Sequence, residues 1–131
     1  MIHVLNIKTD SLPDGWIYIG RENRKYKLDE SPLHNPWPLQ KESDRAEVLA
    51  KYRRHLWGEL KRRHSPARLE VFRLVRLARQ GDVHLGCFCK PKDCHGDLVK
   101  KAVEWIIAEG ISEMDDLSLR FPAPLKPDRL V

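Results

Sequence analysis

All three cysteines of this chain, Cys87, Cys89 and Cys94, fall within eight residues, with His95 directly after the last and Asp97 two positions further on. Groups of these types at this spacing support two chemistries. In the first, Cys87, Cys89, Cys94 and His95 are soft or borderline ligands that could converge on one tetrahedral zinc, the one cofactor the cluster suggests. The spacing departs from that of zinc fingers, whose paired cysteines are separated by two residues, and adjacent Cys94 and His95 would have to bend toward one ion. In the second, Cys94 stands at a helix N-terminus, where unpaired N–H groups and the neighbouring His95 would favour its thiolate. Asp97 would orient His95 or serve as the acid–base group itself, so Cys94, His95 and Asp97 are the catalytic candidates. Gly96 would let a ligand approach the backbone, and the N–H groups of Gly96, Asp97 and Leu98 would receive an anion. The residues argue against a cysteine phosphatase, whose pattern has an arginine six residues after the cysteine where this chain has Lys100. The plainest alternative makes Cys87 and Cys89 small buried hydrophobes, which leaves His95, Gly96 and Asp97 unexplained.

Particular elements must position these groups. Residues 83–89 read as a strand on which Cys87 and Cys89 share one side while Phe88 faces the other. Pro91 ends it, and residues 97–109 have helical spacing, with Val99, Ala102, Val103 and Ile106 inward and Gly110 as the stop. Strand, tight loop and helix put the cluster at the carboxyl end of a strand, where open α/β sheets bind ligands. Upstream, residues 2–7 and 16–20 are two further strands, joined by a turn that permits either a hairpin or parallel pairing. Ser43 is expected to cap a helix running to about Arg63, with Val48, Leu49, Tyr52, Leu56 and Leu60 as its buried stripe. Ser65 and Pro66 start a second helix, which buries Leu69, Phe72 and Val75 with Val71, Leu74 and Leu77 and is closed by Gly81. Two helices between strands make a crossover, so strand 83–89 should join the sheet in parallel. The expectation is a small Rossmann-like three-layer α/β domain over residues 1–120, with a short, mostly parallel sheet and about three main helices. A proline-rich tail, residues 121–131, follows.

Between the second strand and the first helix, residues 22–42 hold three prolines and read as a long irregular loop. Leu33, Trp37 and Leu39 argue that it packs on the body as a lid or wall, with His34 and Asn35 as its polar groups. Arg21, leaving a strand end beside Gly20, is placed to fork onto a phosphate or carboxylate. Arg21, Asn35, Gly96 and Gly20 are therefore the ligand-binding candidates.

With 33% charged and 41% hydrophobic residues the composition is that of a globular chain, and 131 residues suffice for one core. No apolar run reaches membrane-spanning length and the N-terminus lacks a signal-peptide pattern, so a cytoplasmic protein without membrane association is expected. Twelve Lys and Arg stand against five Asp and Glu in residues 41–79, so this segment carries +7 of the net +5 and the rest −2. Such a segment suits a nucleotide or nucleic acid, although a merely solvated helix face accounts for it as well.

Tyr18-Ile19-Gly20-Arg21, Asn35-Pro36-Trp37, Arg45 through Tyr52, Cys87-Phe88-Cys89-Lys90-Pro91 and Cys94-His95-Gly96-Asp97 together resemble the family called domain of unknown function 4326, widespread in bacteria and phages. The chain departs from that pattern with His34 before Asn-Pro and with Trp37. The Cys-His step is also similar to one in domain of unknown function 488, which has Arg where Gly96 stands. Neither family supplies an activity. The resemblance implies that Arg21, Asn35, Cys87, Cys89, Cys94, His95 and Asp97 belong to one site in a small α/β domain. The expected function is binding of a phosphate-bearing ligand, nucleotide or nucleic acid, at residues 83–98, with enzymatic action on it. The alternative is a non-enzymatic, zinc-stabilised nucleic-acid-binding module.

Overall fold

The computed structural model describes residues 1–120, and the expected tail at 121–131 lies outside them. Three strands, β1 (Ile2–Asn6), β2 (Ile17–Tyr18) and β3 (Val83–Cys87), form one sheet in the order β1-β3-β2. Both pairings are parallel, with Ile2 opposite Val83, Asn6 opposite Cys87 and Ile17 opposite Leu85. The hairpin alternative for the first two strands is thus overturned, because β3 inserts between them. The crossover expectation holds: α1 (Arg45–Leu60) and α2 (Pro66–Gln80) connect β2 to β3, and α3 (His95–Ala108) follows.

Alternation along the strands decides what each face meets. Val83, Leu85 and Cys87 are buried on the side that carries the helices, which contact one another as well as the sheet. On the other side, the position a side chain would take at Gly86 is filled by the Trp16 ring and the Ile7 side chain. The covering layer there comes from the β1–β2 connection rather than from a helix. The core between sheet and helices holds Leu56, Leu60, Val71, Leu74, Val99, Val103 and Ile106, all at most 2% exposed.

Local chemistry explains the element ends. Ser65 caps α2, its hydroxyl accepting the Arg68 N–H, with Pro66 at the first helical position and Gly81 at the end. Ser43 does not cap α1. Residues Glu42–Asp44 form a 3-10 turn instead, and Glu42 is drawn to Arg45 and Lys92. In α2, Leu69 is 52% exposed rather than buried, because the adjacent inward position is taken by Arg68, itself 2% exposed. Its guanidinium donates to the carbonyls of Leu60, Glu113 and Asp115 at 2.7, 2.6 and 3.0 Å, tying the end of α1 to the segment after α3. One of the twelve cations of residues 41–79 is therefore a clamp inside the fold. Arg45, Lys51, Arg73 and Arg76 pair with Glu42, Glu47, Glu70 and Glu113. No helix among the described residues is long and apolar enough to cross a membrane.

Candidate functional site

Strand β3 ends at Cys87, two residues before the expected end, and the reason is a side chain. Asn6, buried at the end of β1, donates its amide to the carbonyls of Phe88 and Lys90 at 3.3 and 2.7 Å, drawing the chain out of the ladder. Phe88 to Asp93 then make a tight loop whose Lys90–Pro91 peptide is cis. The Asp93 carbonyl accepts from the Arg45 guanidinium at 2.5 Å. Cys87 and Cys89 consequently do not share one side of a strand. Cys89 lies within hydrogen-bonding reach of Arg45, whereas Cys87 meets Cys94.

Cys94 is the N-cap of α3, closing a capping box: its sulfur receives the Asp97 N–H while the Asp97 carboxylate accepts the Cys94 N–H at 3.1 Å. The other Asp97 oxygen is 2.6 Å from the Lys90 ammonium. Asp97 therefore holds the loop and the helix start together and does not orient His95, as the sequence suggested it could. His95 is buried, with Nε2 donating to the Ile19 carbonyl at 2.6 Å and the Tyr52 ring edge-on at 5.0 Å. Burial lowers its pKa, against the help of that carbonyl, so the ring is neutral at physiological pH. A neutral imidazole supplies no positive charge to Cys94.

The sulfurs of Cys87 and Cys94 are 3.5 Å apart and both residues are 2% exposed. The hydrogen bond from the Cys94 thiol, the N–H groups of Cys89 and Lys90 and the nearby Lys90 ammonium bring Cys87 below the ordinary thiol range, against the cost of burial. Cys94 is driven upward by its bond to Cys87, by burial and by the negative charges of Cys87 and Asp97. Of the two, Cys87 is the one favoured as thiolate, with the Cys94 thiol donating to it. This reverses the expectation that Cys94 is the thiolate: its helix N–H groups are outweighed by the partner that sequence spacing did not reveal.

Above the pair opens a cavity of about 420 Å³. Cys87, Cys89, Cys94 and His95 line it, as do the expected Arg21, Asn35 and Gly20. The loop of residues 22–42 does serve as a wall. Tyr52 Oη donates to the Leu33 carbonyl at 2.7 Å, fixing that loop to α1, and the Asn35 carboxamide accepts the Trp37 N–H at 2.9 Å. Trp37 and Leu39 line one side, Val48 and Leu49 of α1 another, and Tyr18 and Phe88 a third. Arg21 is exposed and makes no ion pair among the described residues, whereas Arg45, also lining the cavity, is occupied by Glu42 and Asp93.

Two of the expected ligand positions also serve packing. A side chain at Gly96 would meet Ile19 Cδ1 at 2.8 Å and Val4 Cγ1 at 2.9 Å, so its bareness brings α3 onto the sheet. Gly20 leaves room for the Tyr18 ring, whose hydroxyl donates to the Arg21 carbonyl at 2.6 Å. Gly96→Val is expected to cost about 1–3 kcal/mol by overpacking, read as a lower urea midpoint at unchanged slope. A midpoint equal to the parent's would mean that α3 can retreat freely. The expected four-ligand zinc set, Cys87, Cys89, Cys94 and His95, is not assembled among the described residues. His95 gives its Nε2 to Ile19, Cys89 turns to Arg45, and among the described residues no three His, Cys, Asp or Glu side chains are arranged to hold a metal.

Asn6, Arg45 and Tyr52 position the site and were not assigned to it from composition or spacing. A polar residue ending an apolar strand is the one sequence signal that pointed to Asn6. The family model described as a domain of unknown function (DUF4326) matches residues 2–105. No curated protein and no solved structure matches the chain.

Proposed function

Since this chain belongs to the DUF4326 family, we propose that its members' shared domain, as seen here, binds a phosphate-bearing small molecule of the nucleotide class and acts on it through the thiols beneath the cavity. The carrying observation is the cavity itself: about 420 Å³ at the carboxyl end of the central strand, with aromatic and aliphatic walls, Arg21 at its side and the Cys87–Cys94 pair in its lining. That volume lies in the range of small-molecule sites, and walls such as Tyr18 and Trp37 suit a flat heterocycle. Arg21 is the cation left to take the phosphate, by paired N–H donation. Cys87, whose thiolate the Cys94 hydrogen bond favours, is the nucleophile. Its attack on an electrophilic carbon forms a C–S bond as the bond to the leaving group breaks and that group departs with the electron pair. Nucleotide is favoured over nucleic acid because the cavity is walled, and because in the basic segment outside it Lys51, Arg73 and Arg76 are paired with carboxylates and Arg68 is buried in the fold.

The test is calorimetric titration of nucleoside mono- and diphosphates, unphosphorylated nucleosides and a single-stranded oligonucleotide into the parent chain and Arg21→Ala. Phosphorylated nucleosides should bind and nucleosides bind more weakly. Arg21→Ala should lose about 10- to 100-fold in affinity, the worth of a charged hydrogen-bonded pair. Arg21 is exposed, so the variant folds. Equal affinity in both proteins sinks the assignment of Arg21, and salt-steep binding of the oligonucleotide alone replaces the nucleotide with nucleic acid.

A further inference from the structure

Two sulfurs 3.5 Å apart on different elements are more than neighbours when one is set up to react and the other to resolve. Cys87 ends the central strand and Cys94 opens the helix after it, with six residues of tight loop between them. The loop is held at both ends, by Asn6 on Phe88 and Lys90 and by Arg45 on Asp93. A disulfide needs the sulfurs to close to about 2.05 Å. That approach of roughly 1.5 Å is within the range of side-chain rotation. Both thiols are shielded from bulk solvent but face the cavity, which admits small molecules to them.

We propose that Cys87 and Cys94 are a hydroperoxide-sensitive redox pair, closing to an intramolecular disulfide that withdraws both thiols from the cavity. The inference does not depend on which ligand the cavity takes. Hydrogen peroxide is the reactant class because a buried pair excludes bulky oxidants. The Cys87 thiolate attacks one peroxide oxygen, the O–O bond breaks, and Cys87 sulfenic acid forms with release of hydroxide, which takes up a proton as water. Cys94, giving up its proton, attacks the sulfenic sulfur. The S–S bond forms as the S–O bond breaks, and the second oxygen leaves as water. Two thiols have lost two electrons and the peroxide has become two waters. The reverse step needs an external dithiol, which takes the disulfide through a mixed disulfide back to two thiols. Cys89 stands outside the pair, beside Arg45.

The test treats the reduced full chain with hydrogen peroxide, then blocks remaining thiols and reads intact and peptide masses. Expected are a loss of two hydrogens with no retained oxygen, a Cys87–Cys94 crosslinked peptide, a free Cys89, and restoration by dithiothreitol. Cys94→Ser, whose hydroxyl keeps the helix cap, should hold a single oxygen on Cys87 and react with a sulfenic-acid probe. Cys89→Ser should form the disulfide unchanged. Retention of two or three oxygens on Cys87 in the parent chain overturns the proposal. So does a Cys87–Cys89 or intermolecular bridge, or no reaction where free glutathione is oxidised. None of these outcomes bears on nucleotide binding, which is read on reduced protein.

Discussion

Arg68→Ala should destabilise the domain by about 3–5 kcal/mol, the largest stability loss expected of any single charged residue. The guanidinium satisfies three carbonyls at a nearly water-free junction, and its removal leaves Leu60, Glu113 and Asp115 with unpaired acceptors. It also empties the space over the Phe72 ring, whose centroid is 5.1 Å from the guanidinium carbon. For a domain of this size that corresponds to a fall in Tm of about 10–18 °C. Arg68→Lys, which keeps a charge and fewer donors, should fall between. Thermal unfolding followed by circular dichroism checks both, and a loss under about 1 kcal/mol for the alanine variant would show that water replaces the cation. Arg73→Ala, whose partner Glu70 lies one helical turn away, should by contrast change stability by less than about 0.5 kcal/mol.

Alkylation of Cys87 by iodoacetamide should rise with pH to a midpoint well below the value near 9 that an ordinary thiol would show. The direction follows from the thiolate being the reactive form: protonation below the midpoint switches the reaction off. The leading cause is the hydrogen bond from Cys94, so Cys94→Ala should move the midpoint back toward the ordinary thiol range, and Cys94→Ser should move it less because a hydroxyl still donates. Peptide mass spectrometry over pH 5 to 9 reads all three proteins. A midpoint above 8 in the parent chain would remove the thiolate from the site. The same asymmetry acts on stability. The folded value of Cys87 lies below the unfolded one, so this group's contribution is present above the ordinary thiol range and is lost as pH falls through the folded value.

How much of this was legible depended on whether the deciding interaction was local. Helical spacing with Ser65, Pro66 and Gly81 marked α2 nearly to the residue, because capping and proline geometry act within a few positions. The parallel joining of β3 followed from two helices standing between strands. Arg21, Asn35 and the three cysteines were gathered by the resemblance and do share one cavity. Long-range partners were invisible. Asn6 ends β3 from more than eighty residues away in sequence, which moved Cys89 off the strand. Arg68 reads as one more surface cation until three carbonyls are found around it. Leu69 was placed inward because periodicity weighs an apolar side chain above a charged one. Cys94 looked like the activated thiol because a helix N-terminus is readable in sequence, while Cys87 acquired that role from a contact that depends on the loop's path. Gly96 is a similar case: close approach was anticipated, but the approaching group is the sheet.

The sheet order carries a consequence for how the chain comes to be folded. Its central strand, β3, is the last of the three to be synthesised among the described residues, and its partners β1 and β2 lie about eighty and about seventy residues upstream. Both pairings of this sheet are therefore non-local, and loop closure must precede any gain from them. On a ribosome, α1 and α2 can form as soon as they emerge, whereas β1 and β2 have no partner until residues 83–87 are free. A nascent chain truncated before that strand has helices but no sheet. One extended through α3 acquires sheet, cavity and thiol pair together, in a single late step.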